Sequence, residues 1–240
     1  MNIEVFYHVY IPPDHQGSMR WTWYVDQQLS LIRDSSLHKI ANVNLCATMP
    51  MHWCHSVTNE PLYQTFNYYV STKYPFVKIL DIRDTGHHIN IYEGQTIERL
   101  YRHCIDNDSI VLYFHSKGAA SNQPQVTSWR DVLNHYCIGQ WTTAVRAIQR
   151  QDIDLVGVRD AVCKDHMVSG NFWWSKSEYI RRLPEPLQSQ VYQTGRPRFY
   201  PGGPDYRYSF EDWVWTGTPR VHHLIDTKVD HYQQFYFVNS

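Results

Sequence analysis

Apolar positions along the chain change period several times, and each change marks an element. IEVFYHVYI (3–11) is almost continuously apolar and predicts a buried strand, ended by Pro12 and Pro13. In MRWTWYVDQQLSLIRDSSL (19–37) the apolar residues Trp21, Tyr24, Val25, Leu29 and Ile32 follow a helical period, with Gln28 as a polar break. ANVNLCATM (41–49) alternates and predicts a second strand. PLYQTFNYYVSTKY (61–74) sets Leu62, Phe66, Tyr69 and Val70 on one helical face, and FVKILDI (76–82) predicts strand three. EGQTIERLYRHCI (93–105) is helical through Ile97, Leu100, Tyr101, Cys104 and Ile105, and strand four runs from Ile110 to Phe114. VTSWRDVLNHYCIGQWTTAVRAIQRQ (126–151) predicts the longest helix. Trp129, Val132, Leu133, Tyr136, Trp141 and Val145 form its stripe, and Thr127 or Ser128 its cap. IDLVGV (153–158) is strand five.

Strands and helices thus alternate from residue 3 to 158. This order predicts an α/β fold, a mostly parallel central sheet with helices on both faces. Ligands of such sheets bind beyond the carboxyl ends of the strands. Three polar clusters fall there: His8 and Tyr10 after strand one, DIRDTGHH (81–88) with Asp84 after strand three, and His115, Ser116, Lys117 and Gly118 after strand four. An imidazole, a hydroxyl and an ammonium can hold an anion, and the glycine lets backbone come close. Taken alone, the four residues fit equally a strand end that reaches water. Their convergence with the other two clusters on one edge favours a site.

After residue 160 the alternation stops. HMVSGNFWWSKSEYIRRLP (166–184) predicts a strand and a short helix. EPLQSQVYQTGRPRFYPGGPDYRYS (185–209) predicts a long loop, functional or mobile, with Arg196, Arg198 and Arg207 available to an anionic ligand. FEDWVWTG (210–217) predicts a short helix, and VHHLIDTKVDHYQQFYFV (221–238) has a mixed pattern. No repeat or linker divides the chain, so a single domain over 1–240 is expected.

Composition narrows the function. The 22 basic and 23 acidic residues nearly cancel, which leaves no basic footprint for nucleic acid. Aromatic residues reach 15%; rings with polar tips suit sugar faces, bases and interfaces, and equally fill cores. The 5 Cys are odd in number and lack C-x-x-C spacing, so reduced thiols in an intracellular protein are expected. No apolar stretch approaches the ~18 residues of a membrane span, and MNIEVFYHVYIPPDH lacks the pattern of a signal peptide. Peripheral contact with a membrane stays open. No P-loop, G-x-G-x-x-G or H-E-x-x-H motif occurs, which removes the usual nucleotide loops and a helical zinc site. The adjacent pairs His87-His88 and His222-His223 point apart on a regular element, and so read as surface or packed side chains.

Four strings, VLYFHSKG, SWRDVLNHY, SGNFWWSKSEYIRRLP and FEDWVW, occur in that order. With FYHVY, QQLSLIRDSSL and YEGQTIERL (which carries Thr96) they resemble a group of small bacterial and viral glycosyltransferase-like proteins. In that group Y-x-H-[ST]-K-G precedes W-R, G-N-F-W-W and a late Glu-x-Trp. The resemblance covers most of the chain, and G-N-F-W-W is its specific string. It implies a GT-A-type nucleotide-sugar transferase with a Rossmann-like α/β sandwich. Residues 1–160 would bind the nucleotide sugar and residues 161–240 would face the acceptor.

Ordinary members of that fold place Asp-x-Asp after the fourth strand, where it holds a divalent metal on the diphosphate. His115, Ser116 and Lys117 stand in that place here. Lys117 with His115 is therefore expected to neutralise the diphosphate in the metal's stead. Mn2+ or Mg2+ stays open, with Asp81, Asp84, Asp106 and Asp108 as carboxylates to serve it. Glu211 or Asp212 is placed like a general base that takes the acceptor's proton; by residue type both also fit first-turn helix acids. Gly170, Asn171, Trp173 and Trp174 are expected at the substrate, by close backbone approach, amide hydrogen bonds and ring stacking. At least one of the two indoles should be core, because neighbours on a strand face opposite ways. Arg130 fits a bidentate phosphate contact or a surface salt bridge.

The resemblance thus implies a nucleotide-diphosphate sugar donor and a glycan or glycoconjugate acceptor, in the cytoplasm of a bacterial or virus-infected cell. A single candidate base favours inversion. Two other classes compete: a non-catalytic sugar- or nucleotide-binding protein using the same crevice, and a phosphoester hydrolase built on His115. For the hydrolase no nucleophile or metal cluster stands at suitable spacing.

Overall fold

The structure, a computed structural model, describes residues 2–12, 19–51, 60–84, 93–119, 121, 123–163, 167–188, 209–231 and 233–236. The expected strands and helices of the first half form close to their expected bounds. They are β1 (Asn2–Tyr10), α1 (Arg20–Asp34), β2 (Ala41–Met49), α2 (Leu62–Lys73), β3 (Val77–Asp84), α3 (Gly94–Asp106) and β4 (Ser109–His115). After them come α4 (Pro124–Leu133), α5 (Trp141–Ile148), β5 (Leu155–Arg159), β6 (Trp173–Lys176), α6 (Ser177–Ile180), α7 (Ser209–Trp213) and β7 (Val221–Asp226).

The strands make one sheet in the order β3-β2-β1-β4-β6-β5-β7. β1 pairs parallel with β2 and with β4, β2 with β3, and β5 with β7. Among the described strands only β6 runs against its neighbours, β4 and β5. The sheet is therefore mixed rather than wholly parallel. The reversal has a local cause: β6 follows β5 without a crossover helix, and a strand that returns directly to its neighbour's side pairs antiparallel.

Both faces of the sheet are covered, which is why its strands read as unbroken apolar runs. Val5, Tyr7, Leu112, Phe114 and Trp174 pack on one face with Trp21, Leu29, Phe66, Val132 and Leu133 from α1, α2 and α4. Phe6, Val111, Tyr113 and Trp173 pack on the other with Ile97, Leu100, Ile180, Phe210 and Trp213 from α3, α6 and α7.

The helix expected over 126–151 is instead two helices joined by a π-helical turn over 134–139. The wider turn rotates α5 relative to α4, so Tyr136, Trp141 and Val145 are only partly buried while Cys137, Ile138, Ala144 and Ile148 enter the core. Neither Thr127 nor Ser128 caps it. α4 begins with Pro124 after Gln123, and Ser128 Oγ donates to the Tyr236 carbonyl at 2.8 Å. Gln28 is no break in α1 but a buried residue of its inner face. Most of the 185–209 loop, with Arg196, Arg198 and Arg207, lies outside the described residues, as does the His87-His88 pair. No described helix is long and apolar enough to cross a membrane.

From β1 the chain builds outward through β2 to β3, then crosses back to lay β4 on the other side of β1. The order reverses between β1 and β4. A crevice opens at such a point beyond the carboxyl ends of the two strands.

Candidate functional site

His8 and His115 are register partners at the ends of β1 and β4. His8 Nδ1 lies 2.8 Å from Thr96 Oγ1, and His115 Nε2 lies 2.9 Å from the Gly170 carbonyl. A ring nitrogen facing a carbonyl must carry the hydrogen, so His115 donates through Nε2 and keeps Nδ1 as an acceptor. Burial, reinforced by the facing imidazole, pushes His8 down to about 3. Burial, with the Lys117 charge second, pushes His115 down to about 4. Both rings are neutral at neutral pH. The expectation that His115 shares the cationic work of Lys117 is therefore corrected: desolvation keeps His115 uncharged.

The turn after β4 is held at every backbone group the crevice needs. The Ser116 amide donates to the His8 carbonyl at 2.9 Å, and Ser116 Oγ accepts from the Tyr10 amide at 2.8 Å. Gln28 Nε2 donates to the His115 carbonyl at 3.0 Å, and Arg130 Nη1 to the Lys117 carbonyl at 2.9 Å. Gly118 has φ +75°, where a side chain is disfavoured, and a Cβ there would also overlap Val126. These bonds leave the Lys117 ammonium 4.1 Å above the ring of Trp129. Trp129 is fixed in turn, since its Nε1 donates to Ser169 Oγ, which donates to Asp160.

Arg130 does not reach a ligand in this arrangement. It is 1% exposed, donates from Nε to Gln27 at 2.9 Å and lies against the Trp23 ring. It is neither a surface salt bridge nor a phosphate fork, but the back wall of the Lys117 turn.

On the α3 side, Glu93 directs its carboxyl inward and accepts a hydrogen bond from Tyr113. Burial pushes that carboxyl up, partly offset by the Tyr113 bond and the charge of Lys117. Gly170 and Asn171 both take left-handed conformations, with φ 68° and 54°. Their turn presents the Gly170 carbonyl to His115 and lets Asn171 Oδ1 accept from Trp173 at 2.7 Å. The Asn171 amide nitrogen is buried; it approaches Glu93 without closing a hydrogen bond.

Glu211 enters from α7. Trp213 holds α7 by an edge contact with Tyr101 and by donating to the Pro184 carbonyl at 2.7 Å. Phe210 rests where a Cβ on Gly94 would be. The charge of Glu211 acts on both His115 and Tyr113.

The structure thus brings together His8, Thr96, His115, Ser116, Lys117, Gly118, Gly170, Asn171 and Glu211. Asp212 lies beside Glu211 on the same short helix. Other expected residues are elsewhere. Trp173 and Trp174 are both core, on opposite faces, and their Nε1 atoms bond to Asn171 and the Cys137 carbonyl. Neither offers a face to a sugar. Asp106 ends α3 and Asp108 precedes β4, which puts both at the amino edge, away from the crevice. Asp81 is engaged by Arg83 and Arg99. Asp84 ends β3, two strands from β1. Among the described residues no group of three or more His, Cys, Asp or Glu is arranged to hold a metal ion.

Sequence reasoning missed Glu93, Tyr113 and Gln28. Tyr113 carried a signal, since strand parity puts it on the face of His115. Glu93 carried a weaker one, an acid immediately before the apolar stripe of α3.

Together these features define a mixed α/β protein in which, among the described residues, Lys117, Glu93 and Glu211 gather near the end of β4, where the strand order reverses. A family model described as "Domain of unknown function (DUF8361)" matches residues 6–218, and the chain belongs to that family. Searches of curated proteins and of solved structures found no match.

Proposed function

We propose that this protein is a glycosyltransferase of GT-A-like architecture. It moves a sugar from a nucleotide-diphosphate sugar to a hydroxyl of a glycan or glycoconjugate. One observation carries the reading: Lys117 stands at the carboxyl edge where the strand order reverses, and no described carboxylate forms a salt bridge with it. An ammonium held against a π face keeps its charge for an incoming anion, whereas one in a salt bridge does not. The Rossmann-like order β3-β2-β1-β4 and the motif resemblance support the same reading.

In this reading Lys117 stabilises the negative charge that builds on the leaving diphosphate. Glu211 accepts the proton of the acceptor hydroxyl as its oxygen attacks the anomeric carbon and the bond to the diphosphate breaks. Neutral His115 offers Nδ1 as an acceptor for a ligand hydroxyl. A single base supports inversion at the anomeric carbon, in a cytoplasmic setting.

A thermal-shift screen against UDP-, GDP-, CMP- and dTDP-sugars, with and without manganese, tests the donor. A nucleotide sugar at 100 times its dissociation constant should add about 2.7 kcal/mol of stability. The positive donor is then assayed for release of the nucleotide with candidate acceptors. A screen with no shift in any arm sinks the transferase reading. Binding with no turnover on any acceptor moves the protein to the non-catalytic class.

A further inference from the structure

Glu93 is a buried acid at the crevice that the transfer step does not use. It is 6% exposed. Tyr113 donates to its Oε2, and the unpartnered Asn171 amide nitrogen approaches it. The Lys117 charge acts on it, and a second carboxyl, Glu211, acts on the same Tyr113. Two carboxyls and one free ammonium thus share a site built for an anion. An ionised Glu93 would compete with a diphosphate for Lys117. A protonated Glu93 would leave that charge to the ligand.

We infer that binding of a diphosphate at Lys117 is coupled to uptake of one proton by the buried Glu93 carboxyl. The inference rests on the reading of Lys117 as the phosphate-binding group. The proton comes from solvent and goes to Oε1, because Tyr113 holds Oε2. The driving force is Coulombic: a ligand anion beside a poorly solvated carboxylate raises the cost of its charge, and the proton removes that charge.

The groups around Glu93 do not confuse the signal. Burial pushes Tyr113 on β4 well up and Cys46 on β2 up to about 11, while His8 and His115 fall to about 3 and about 4. None of these four changes charge between about pH 5 and 9. Glu211 on α7, whose charge acts on Tyr113, is the rival proton acceptor.

The sign comes from linkage. Bound ligand raises the affinity of Glu93 for its proton. Ligand affinity is therefore highest below the free-state pKa of Glu93 and falls about tenfold per pH unit between the free and bound values. Isothermal titration with UDP-glucose, GDP-mannose and sulfate, each in buffers of different ionisation heat, reads the number of protons taken up. These probes keep their own charge over the window except at its alkaline end, where the uracil and guanine rings begin to ionise and sulfate serves as the control. Uptake should approach one proton per bound ligand at its maximum. Glu93→Gln should bind with no uptake and a flat pH profile. Tyr113→Phe removes a bond that favours the ionised form, so its affinity should fall at a higher pH than in the wild type. Binding with zero uptake at every pH overturns this inference alone. So does uptake that survives Glu93→Gln and disappears in Glu211→Gln, or an unmoved profile in Tyr113→Phe. No binding by any of the three probes overturns the phosphate reading of Lys117 and this inference with it.

Discussion

The two faces of the sheet treat the end of β4 in opposite ways. On the α1/α4 face, Gln28 and Arg130 donate to the carbonyls of His115 and Lys117 and are closed off from solvent. On the α3/α7 face, Glu93, Tyr113 and Glu211 gather ionisable oxygens around the same strand end. Donors on one side grip backbone, and on the other a phenol donates to a buried carboxyl with the Glu211 charge beside it. A positive charge can therefore serve a crevice without touching its contents. Arg130 and Lys117 are both cations beside one turn, yet burial makes the first a strut, while the second lies over the Trp129 ring.

The largest effect expected from breaking this division is on the acceptor side. Glu211→Gln should lower transfer by about 10²–10⁴-fold while leaving donor affinity nearly intact, as read by rate assays beside calorimetry. Asp212→Asn is the control, since neighbouring helix residues point about 100° apart. If Asp212→Asn abolishes transfer and Glu211→Gln does not, the base is misassigned.

Lys117→Ala should weaken nucleotide-sugar binding by roughly tenfold or more, the loss of a charge-assisted bond worth about 1.5–3 kcal/mol. Lys117→Arg should weaken it less. Unchanged calorimetric affinity in Lys117→Ala would remove its role.

Arg130→Met sharpens the contrast between the two cations. It strips donors from the Lys117 carbonyl and from Gln27, and should cost about 1–3 kcal/mol of stability in denaturant unfolding. It should also weaken nucleotide-sugar binding, although the guanidinium meets no ligand. Stability lost with affinity unchanged would reduce Arg130 to packing.

A further test of the site's buried side is acid stability. His8 and His115 are depressed to about 3 and about 4, so as pH falls below about 6.5 the unfolded chain takes protons that the fold refuses. Each histidine then adds a loss of about 1.4 kcal/mol per pH unit; both act down to about pH 4, and His8 alone below that. His8→Gln should flatten this limb in melts recorded against pH. An equally steep limb would mean that the ring is not held neutral.

The first four strands and three helices were legible because burial on both faces leaves long apolar runs between polar turns. The reversal of β6 was not, since a strand's direction depends on the path of its connection in space. The π-helical turn was hidden because one extra residue leaves a helical period locally intact. At the site, His115 to Gly118 stood out as polar residues breaking an apolar run. Their division of labour did not, because the neutrality of His115 and the burial of Arg130 depend on packing from α1, α4 and the Gly170 turn. Glu93 and Tyr113 lie twenty positions apart, and only the fold joins them. Strand alternation already put at least one indole of GNFWW in a core; packing on both faces of the sheet puts the other in the second core as well.

The placement of β6 also has a consequence for how the molecule assembles. β5 and β7 pair with each other, yet reach the first four strands only through the four residues Trp173–Lys176, by four register pairs with β4 and three with β5. The chain must therefore finish β5, turn back, and insert this short segment before the sheet can close. Ile110 meets Lys176 across more than sixty intervening residues, and contacts of such sequence separation form slowly. Among the described residues these four make the ladder that joins the β1–β4 strands to the β5/β7 pair.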